Sequence, residues 1–181
     1  MRYERDQLDS LKGAAERRSN RLEAELKRSR IALRRATSTQ PIAAPAFADR
    51  ERGFRYLVET AWARRIPVGE QSARGLPEYV VGEQFLDSVE SLQGVTADKV
   101  ADVVMELLTG VAESSAGRDM HRLRAGAGGD DPARQRTVDG AVCWRVALQI
   151  NTPSARRLHA WKLPDGRWEI SSVRNHDDFE P

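Results

Sequence analysis

The sequence has very little cysteine and no long hydrophobic run. Cys143 is the only cysteine among 181 residues, which excludes an intramolecular disulfide and a cysteine-rich metal cluster. No run of 18 apolar residues occurs, and the charged start Met1–Arg5 is not followed by the apolar core of a secretory signal. We therefore predict a cytoplasmic protein without a membrane partner, and we predict neither a bound metal nor a cofactor.

Lysine and the common phosphate-binding motifs are also scarce or missing. Of the 29 basic residues, 25 are arginine and 4 are lysine, a bias typical of a GC-rich bacterial genome. The glycine-rich segment 125–132 contains neither GxxxxGK[ST] nor a GxGxxG that leads from a strand into a helix. The sequence thus offers no motif that would identify a reaction.

Charge is present in abundance, and it is segregated along the chain. Residues 1–37 carry a net charge of +5, residues 38–121 carry −5, residues 122–174 carry +5 and residues 175–181 carry −3. Two basic blocks that flank an acidic one predict either contact with a polyanion or docking of one block on another, within or between chains.

The first 37 residues contain no proline and predict a basic amphipathic helix that resembles a coiled-coil arm. Its apolar residues follow a 3-4-4 spacing that fits an 11-residue repeat better than a heptad. An isolated helix depends on packing its apolar stripe, so we expect this arm to bind a second copy or a partner protein. The residues predicted to contact that partner helix are Leu8, Leu11, Leu22, Leu26 and Leu33.

A cluster of cations follows the stripe towards the end of the arm. On a helical wheel these side chains point away from the leucines, where they could bind the phosphates of DNA or RNA or form the solvated face of a coiled coil. The cations are Lys27, Arg28, Arg34 and Arg35. Residues 38–46, with Pro41 and Pro45, predict a linker that ends the helix.

The rest of the chain, residues 47–181, predicts one α+β domain. Apolar residues at helical spacing predict helices over about 47–65, 83–93 and 96–112, with Thr96 as a candidate N-cap. Alternating apolar residues separated by Gly-containing turns predict strands over about 134–138, 141–150, 156–163 and 168–174. The expected architecture is three helices packed on a four-stranded antiparallel meander.

The predicted sheet carries the candidate functional side chains. Alternation would place Arg145, Arg157, His159 and Trp161 on its exposed face, away from the helices. Arginine would bind phosphate, tryptophan would stack on a base, and His159 or His176 could move a proton near neutral pH. The alternative is an ordinary polar sheet surface without a function.

The order of helices followed by an arginine-bearing meander over residues 96–178 resembles the RelE/ParE toxin fold. That resemblance implies contact with ribosome-bound messenger RNA through Arg145, Arg157, His159 and Arg174. The chain departs from the pattern because it has no leading strand, adds helices between residues 47 and 93, and carries the N-terminal arm.

Three functions remain open at this point. The first is a non-enzymatic interaction protein whose arm oligomerises or binds a partner and whose basic surfaces bind nucleic acid or a ribonucleoprotein. The second is a RelE-like RNA-cleaving enzyme that uses His159 or His176 with Arg145 and Arg157. The third is a scaffold or assembly component that binds no nucleic acid.

Overall fold

A computed structural model describes residues 12–13, 16–29, 47–91, 94–126, 131–149, 155–178 and 180–181. The chain divides into two units, Met1–Pro45 and Ala46–Pro181. The predicted linker 38–46 lies outside the described ranges.

In the first unit, residues 12–13 and 16–29 are helical, and the longer stretch is α1. Every described side chain of α1 is exposed, including Leu22 at 57% and Leu26 at 54%. The helix predicted over 1–37 is therefore matched only in part, and its other residues lie outside the described ranges.

Four α-helices are described in the second unit: α2 (Arg50–Arg65), α3 (Phe85–Glu90), α4 (Ala97–Leu108) and α5 (Val111–Ser114). The carboxylate of Asp49 caps α2 by accepting hydrogen bonds from the backbone N–H groups of Glu51 and Arg52. The Thr96 hydroxyl caps α4 by accepting from the N–H of Lys99 at 3.3 Å. These caps explain why both helices begin where the sequence changes from loop to apolar periodicity.

The predicted helix 96–112 is too long at its C-terminal end. α4 stops at Leu108, and Gly110 adopts φ 74°, a left-handed conformation that glycine adopts without steric cost. Val111 then starts the separate helix α5. A short 3-10 turn over Ala116–Arg118 follows.

The sheet has five described strands rather than the four predicted. They are β1 (Tyr79–Val81), β2 (His121–Arg122), β3 (Val142–Ala147), β4 (Arg156–Lys162) and β5 (Trp168–Asn175), in the order β1-β5-β4-β3-β2. β1 runs parallel to β5, and the remaining pairs are antiparallel. The sheet is therefore mixed, and the predicted four-stranded antiparallel meander is matched only in part: β2 to β5 pair antiparallel in chain order, but β1 adds a parallel edge beside β5.

The strand predicted over 134–138 is matched only by an isolated antiparallel bridge. Gln135 pairs with Val142, flanked by hydrogen bonds from Cys143 N–H to the Arg134 carbonyl and from Arg136 N–H to the Ala141 carbonyl, and Val138 lies exposed in a turn. The edge strand that pairs with β3 is β2, which was not predicted as a strand. Two residues are too few to show a strand period, so this pairing left no local signal.

The main core lies between the helices and one face of the sheet. Phe54 of α2 meets Phe85 of α3 edge to face, with ring centroids 4.8 Å apart. Burial of each large apolar side chain contributes about 1.5–3 kcal/mol, so this layer holds the unit together. The sheet side of the core consists of Val146, Leu158, Ala160, Ile170 and Val173.

An ion-pair network joins α4 to the elements around it. The buried carboxylate of Glu106 accepts hydrogen bonds from both the Nε and Nη2 of Arg118, and it also contacts Arg65 of α2 at 2.7 Å. Desolvation is the largest single influence and favours the neutral carboxyl, but the hydrogen bonds and charge of Arg118, together with the charges of Arg65 and Lys99, lower the pKa of Glu106. Arg118 also donates to the carbonyl of Ala147 at 3.1 Å, which ties this network to the end of β3.

None of the described helices combines the length and the apolar character needed to cross a membrane.

The β1–β5 edge depends on a glycine just after β1. The N–H of Gly82 donates to the carbonyl of Ile170 at 2.8 Å, and a Cβ at Gly82 would stand 2.8 Å from that oxygen. We expect Gly82→Ala to destabilise the protein by about 1–3 kcal/mol, since the backbones would have to separate. Urea unfolding measures this, with Gly75→Ala as the matched control because a Cβ there meets nothing within 4 Å. Equal stability of the two variants would contradict this account of the edge.

Candidate nucleic-acid interface

The four candidate residues of the sheet share one face. Arg145 lies directly opposite His159, and Cys143 lies opposite Trp161, while Arg157 is two residues before His159 on the same strand. We call this side, away from the helices, the polar face. Its central row across the strands is His121–Arg145–His159–Ser172.

The expectation that this face is exposed was wrong. Arg145 and Arg157 retain only 6% exposure, His159 is fully buried, and Trp161 is buried with Cys143 in a second apolar cluster. Burial raises the pKa of the Cys143 thiol to about 12, which argues against a nucleophilic role.

Two distant segments cover the polar face. The C-terminal segment supplies backbone carbonyls, since Arg145 Nη2 donates to the carbonyl of His176 at 2.9 Å and His159 Nδ1 donates to that of Glu180 at 2.9 Å. The segment before β3 places Arg136 over the Trp161 ring at 5.0 Å, and Arg136 pairs there with Glu169 at 2.8 Å. These covers follow from tertiary contacts, so alternation along the strands could not indicate them.

His159 is poorly suited to proton transfer near neutral pH. Burial is the main cause that lowers its pKa to about 4, and the nearby Arg145 adds to the effect. Its Nδ1 carries the proton given to the Glu180 carbonyl, so Nε2 of the neutral ring is a hydrogen-bond acceptor. His176, the other proposed proton carrier, is half-exposed and contacts Asp177 at 2.8 Å through Nδ1.

A cleft of about 560 Å³ opens at the β2 edge of the sheet. β2 is an edge strand, so side chains from both faces of the sheet contribute to the cleft. His121 lies in register with Arg145 of the polar face, and Arg122 lies in register with Trp144 of the opposite face. The volume lies within the range of about 300–1,000 Å³ typical of small-ligand sites. The lining consists of Met120, His121, Arg122, Arg124, Asp131, Ala133 and Trp144.

A guanidinium stacked on an aromatic ring forms one wall of the cleft. The Arg122 guanidinium carbon is 5.6 Å from the centroid of the Trp144 ring, within the distance of a cation–π contact. Trp144 is held in turn by Trp168, whose ring meets it edge to face at 6.3 Å. A rigid tryptophan therefore orients an exposed arginine at the mouth of the cleft.

The remaining candidate residues lie on the first unit or outside the described ranges. Lys27 and Arg28 are exposed on α1, together with Leu22 and Leu26. Arg34, Arg35, Leu8, Leu11 and Leu33 lie outside the described residues. No group of three or more potential metal ligands comes together among the residues that the structure describes.

The sequence interpretation missed the residues that build the edge cleft. None of His121, Arg122 and Trp144 was among the predicted site residues. A histidine and several arginines before a glycine-rich loop were visible in the sequence, but their meeting with Trp144 depends on the β2–β3 pairing.

Comparison with known proteins found no match to a protein-family model, a curated protein or a solved structure.

The buried His159 makes a specific contribution to pH dependence. Its pKa is about 4 in the folded protein against about 6.5 in an unfolded chain, so between these values the unfolded state binds more protons and stability falls as pH drops. From pH 7 to pH 5 we expect a loss of about 2 kcal/mol that His159→Gln removes. Denaturant unfolding at both pH values measures it, and His121→Gln is the control for removing a histidine. An unchanged pH dependence in His159→Gln would refute the assignment.

Proposed function

We propose that the protein is a non-enzymatic protein that binds single-stranded nucleic acid at the edge cleft. The observation that carries this proposal is the Arg122–Trp144 stack at the wall of the cleft. A guanidinium plane and an indole ring are the groups on which unpaired bases stack in single-strand recognition.

The charge of the cleft supports a phosphate-bearing ligand. Arg122 and Arg124 are exposed cationic residues of the lining, and Asp131 is the one acidic member among its described residues. His121 adds a ring whose Nδ1 donates to the Asp119 carbonyl at 2.8 Å, which leaves Nε2 as the acceptor in the neutral ring. These groups suit the phosphate and base edges of one nucleotide.

The size of the cleft favours a single strand over a duplex. A volume of about 560 Å³ accommodates one splayed nucleotide with its sugar and phosphate, whereas a duplex would be bound on a broad basic surface. The exposed Lys27 and Arg28 of α1 are the proposed phosphate contacts of the arm. RNA cleavage receives less support, because His159 is buried and neutral near pH 7.

A salt titration with a matched variant tests the cleft. We expect Arg122→Gln to weaken binding of labelled oligo-U or oligo-dT about 10-fold and to lower the slope of log affinity against log salt by about 1. Fluorescence anisotropy on the full chain measures both quantities. Arg167→Gln is the control, because Arg167 is an exposed arginine in the β4–β5 turn, paired with Asp165. Equal losses in the two variants, or no binding by the unaltered protein, would reject the cleft as the interface.

We also propose that α1 pairs with a second copy of the chain. Leu22 and Leu26 are one helical turn apart, so they lie on the same side of α1, and both are more than half exposed within the first unit. Large apolar side chains repeated along one side of an otherwise charged helix are typical of a helix that packs against another helix. Identical arms would present the same stripe to each other.

Light scattering of two full-chain variants tests this pairing. We expect Leu26→Glu to shift the protein from a multiple of the chain mass to a single chain, because a charge would enter the seam at each copy. Ala24→Glu is the matched control, since Ala24 lies on the opposite side of α1 from Leu22 and Leu26. A single-chain mass for the unaltered protein, or dissociation by both variants alike, would contradict the proposal.

A further inference from the structure

Arg145 and Arg157 are two buried arginines with no close carboxylate partner among the described residues. Arg145 donates to the backbone carbonyl of His176, and Arg157 Nη1 donates to that of Gln149 at 2.9 Å. The closest recorded carboxylate oxygen is that of Asp119, 3.8 Å from Arg157 Nη2. Carbonyl oxygens are polar but carry no full charge, so the two positive charges are incompletely neutralised.

The same domain neutralises its other covered arginines directly. Arg118 binds both oxygens of Glu106, and Arg136 binds both Asp139 and Glu169 at 2.7 and 2.8 Å. A buried charge without its counter-ion costs several kcal/mol, which is why such pairing is the rule. Arg145 and Arg157 depart from this rule side by side: desolvation and then the charge of Arg157 lower the pKa of Arg145.

Three polar atoms of this cluster lack a partner among the described residues. They are Arg145 Nε, Arg157 Nε and His159 Nε2, all enclosed by protein. The two Nε–H groups are donors, and Nε2 is an acceptor because Nδ1 holds the proton. An anion that also carries one proton would satisfy both kinds of atom.

We propose that Arg145, Arg157 and His159 form a binding site for the hydrogen phosphate ion. The guanidinium groups would donate to its oxygens as charge-assisted hydrogen bonds, and its hydroxyl would donate to His159 Nε2. The near-complete burial of both arginines excludes a polymer backbone as the occupant, so the ion must be compact and must displace covering atoms to enter. No bond is made or broken, and the site binds the ion reversibly.

Asp119 marks the solvent side of the site. Its side chain is 59% exposed and lies near both Arg157 and His121, with Oδ1 3.6 Å from His121 Nδ1. Asp177, which also attracts Arg145, is 95% exposed, so neither carboxylate fully replaces a buried counter-ion. The ion would enter beside Asp119 and take over its weak contact with Arg157.

The site is independent of the nucleic-acid proposal. It uses neither Arg122 nor Trp144, so loss of oligonucleotide binding and loss of phosphate binding are separate results.

Thermal unfolding of the full chain in phosphate and in chloride of equal ionic strength tests the site at pH 7.5. We expect phosphate to raise Tm saturably, by about 3 °C at ten times its Kd, because it binds the folded state alone. Sulfate should bind at least about 5-fold more weakly, since it has no proton for His159 Nε2. Arg145→Gln and Arg157→Gln should each lose the phosphate-specific rise, whereas Arg167→Gln should retain it.

Asp119→Asn should increase the affinity for phosphate, a result that a purely structural role of Arg145 and Arg157 would not produce. Asp119 has φ 43°, a conformation that asparagine tolerates well, so the backbone should be preserved. Removing this carboxylate should tighten phosphate binding several-fold, and Asp165→Asn, which removes an exposed carboxylate elsewhere, should not.

The wild-type titration decides the proposal even if an arginine variant fails to fold. No phosphate-specific rise in Tm, an equal rise with sulfate, or a rise that persists in both Arg145→Gln and Arg157→Gln would overturn it. Equal effects of Asp119→Asn and Asp165→Asn would overturn the placement of the entrance beside Asp119.

Discussion

Burial of both faces of the central strand β4 is the constraint on which the rest of this unit depends. β4 lies between β5 and β3, and its five residues from Arg157 to Trp161 are all buried. On one face Leu158 and Ala160 join the helical core. An antiparallel sheet commonly leaves its other face to water, but here the segment before β3 and the C-terminal segment cover it. Polar side chains on that face therefore need protein partners in place of solvent.

The molecule meets that need in different ways at different positions. Arg136 and Arg118 pair with carboxylates, which keeps both partners charged in partly covered surroundings. His159 instead remains neutral, because burial lowers its pKa below the physiological range. Arg145 and Arg157 do neither fully, since a guanidinium does not lose its proton and the nearest carboxylate oxygen among the described residues, that of Asp119, is 3.8 Å from Arg157. The incomplete neutralisation of these two arginines is what points to a small anionic ligand.

Local patterns in the sequence were sufficient for most of the long elements. The apolar stripe and Thr96 cap located α4, and alternation with glycine turns located β3, β4 and β5. β1 escaped notice because it has three residues in a stretch rich in glycine and proline. Its partner β5 is about 90 residues away, so that Tyr79 pairs with Trp168. A parallel pairing at that separation leaves no signature within either segment.

By itself, the sequence determined α2, α3 and α4 approximately, three of the strands and the identity of the cationic side chains, because these follow from residue spacing and side-chain chemistry. It also predicted α1 with its leucines, over the part that the structure describes. Only the tertiary structure decided which side chains reach water. The covering of the polar face buried Arg145, Arg157 and His159, and the β2–β3 pairing brought Arg122 onto Trp144. Both outcomes depend on contacts between segments that are distant in the chain, and periodicity along one strand cannot reveal what packs over it.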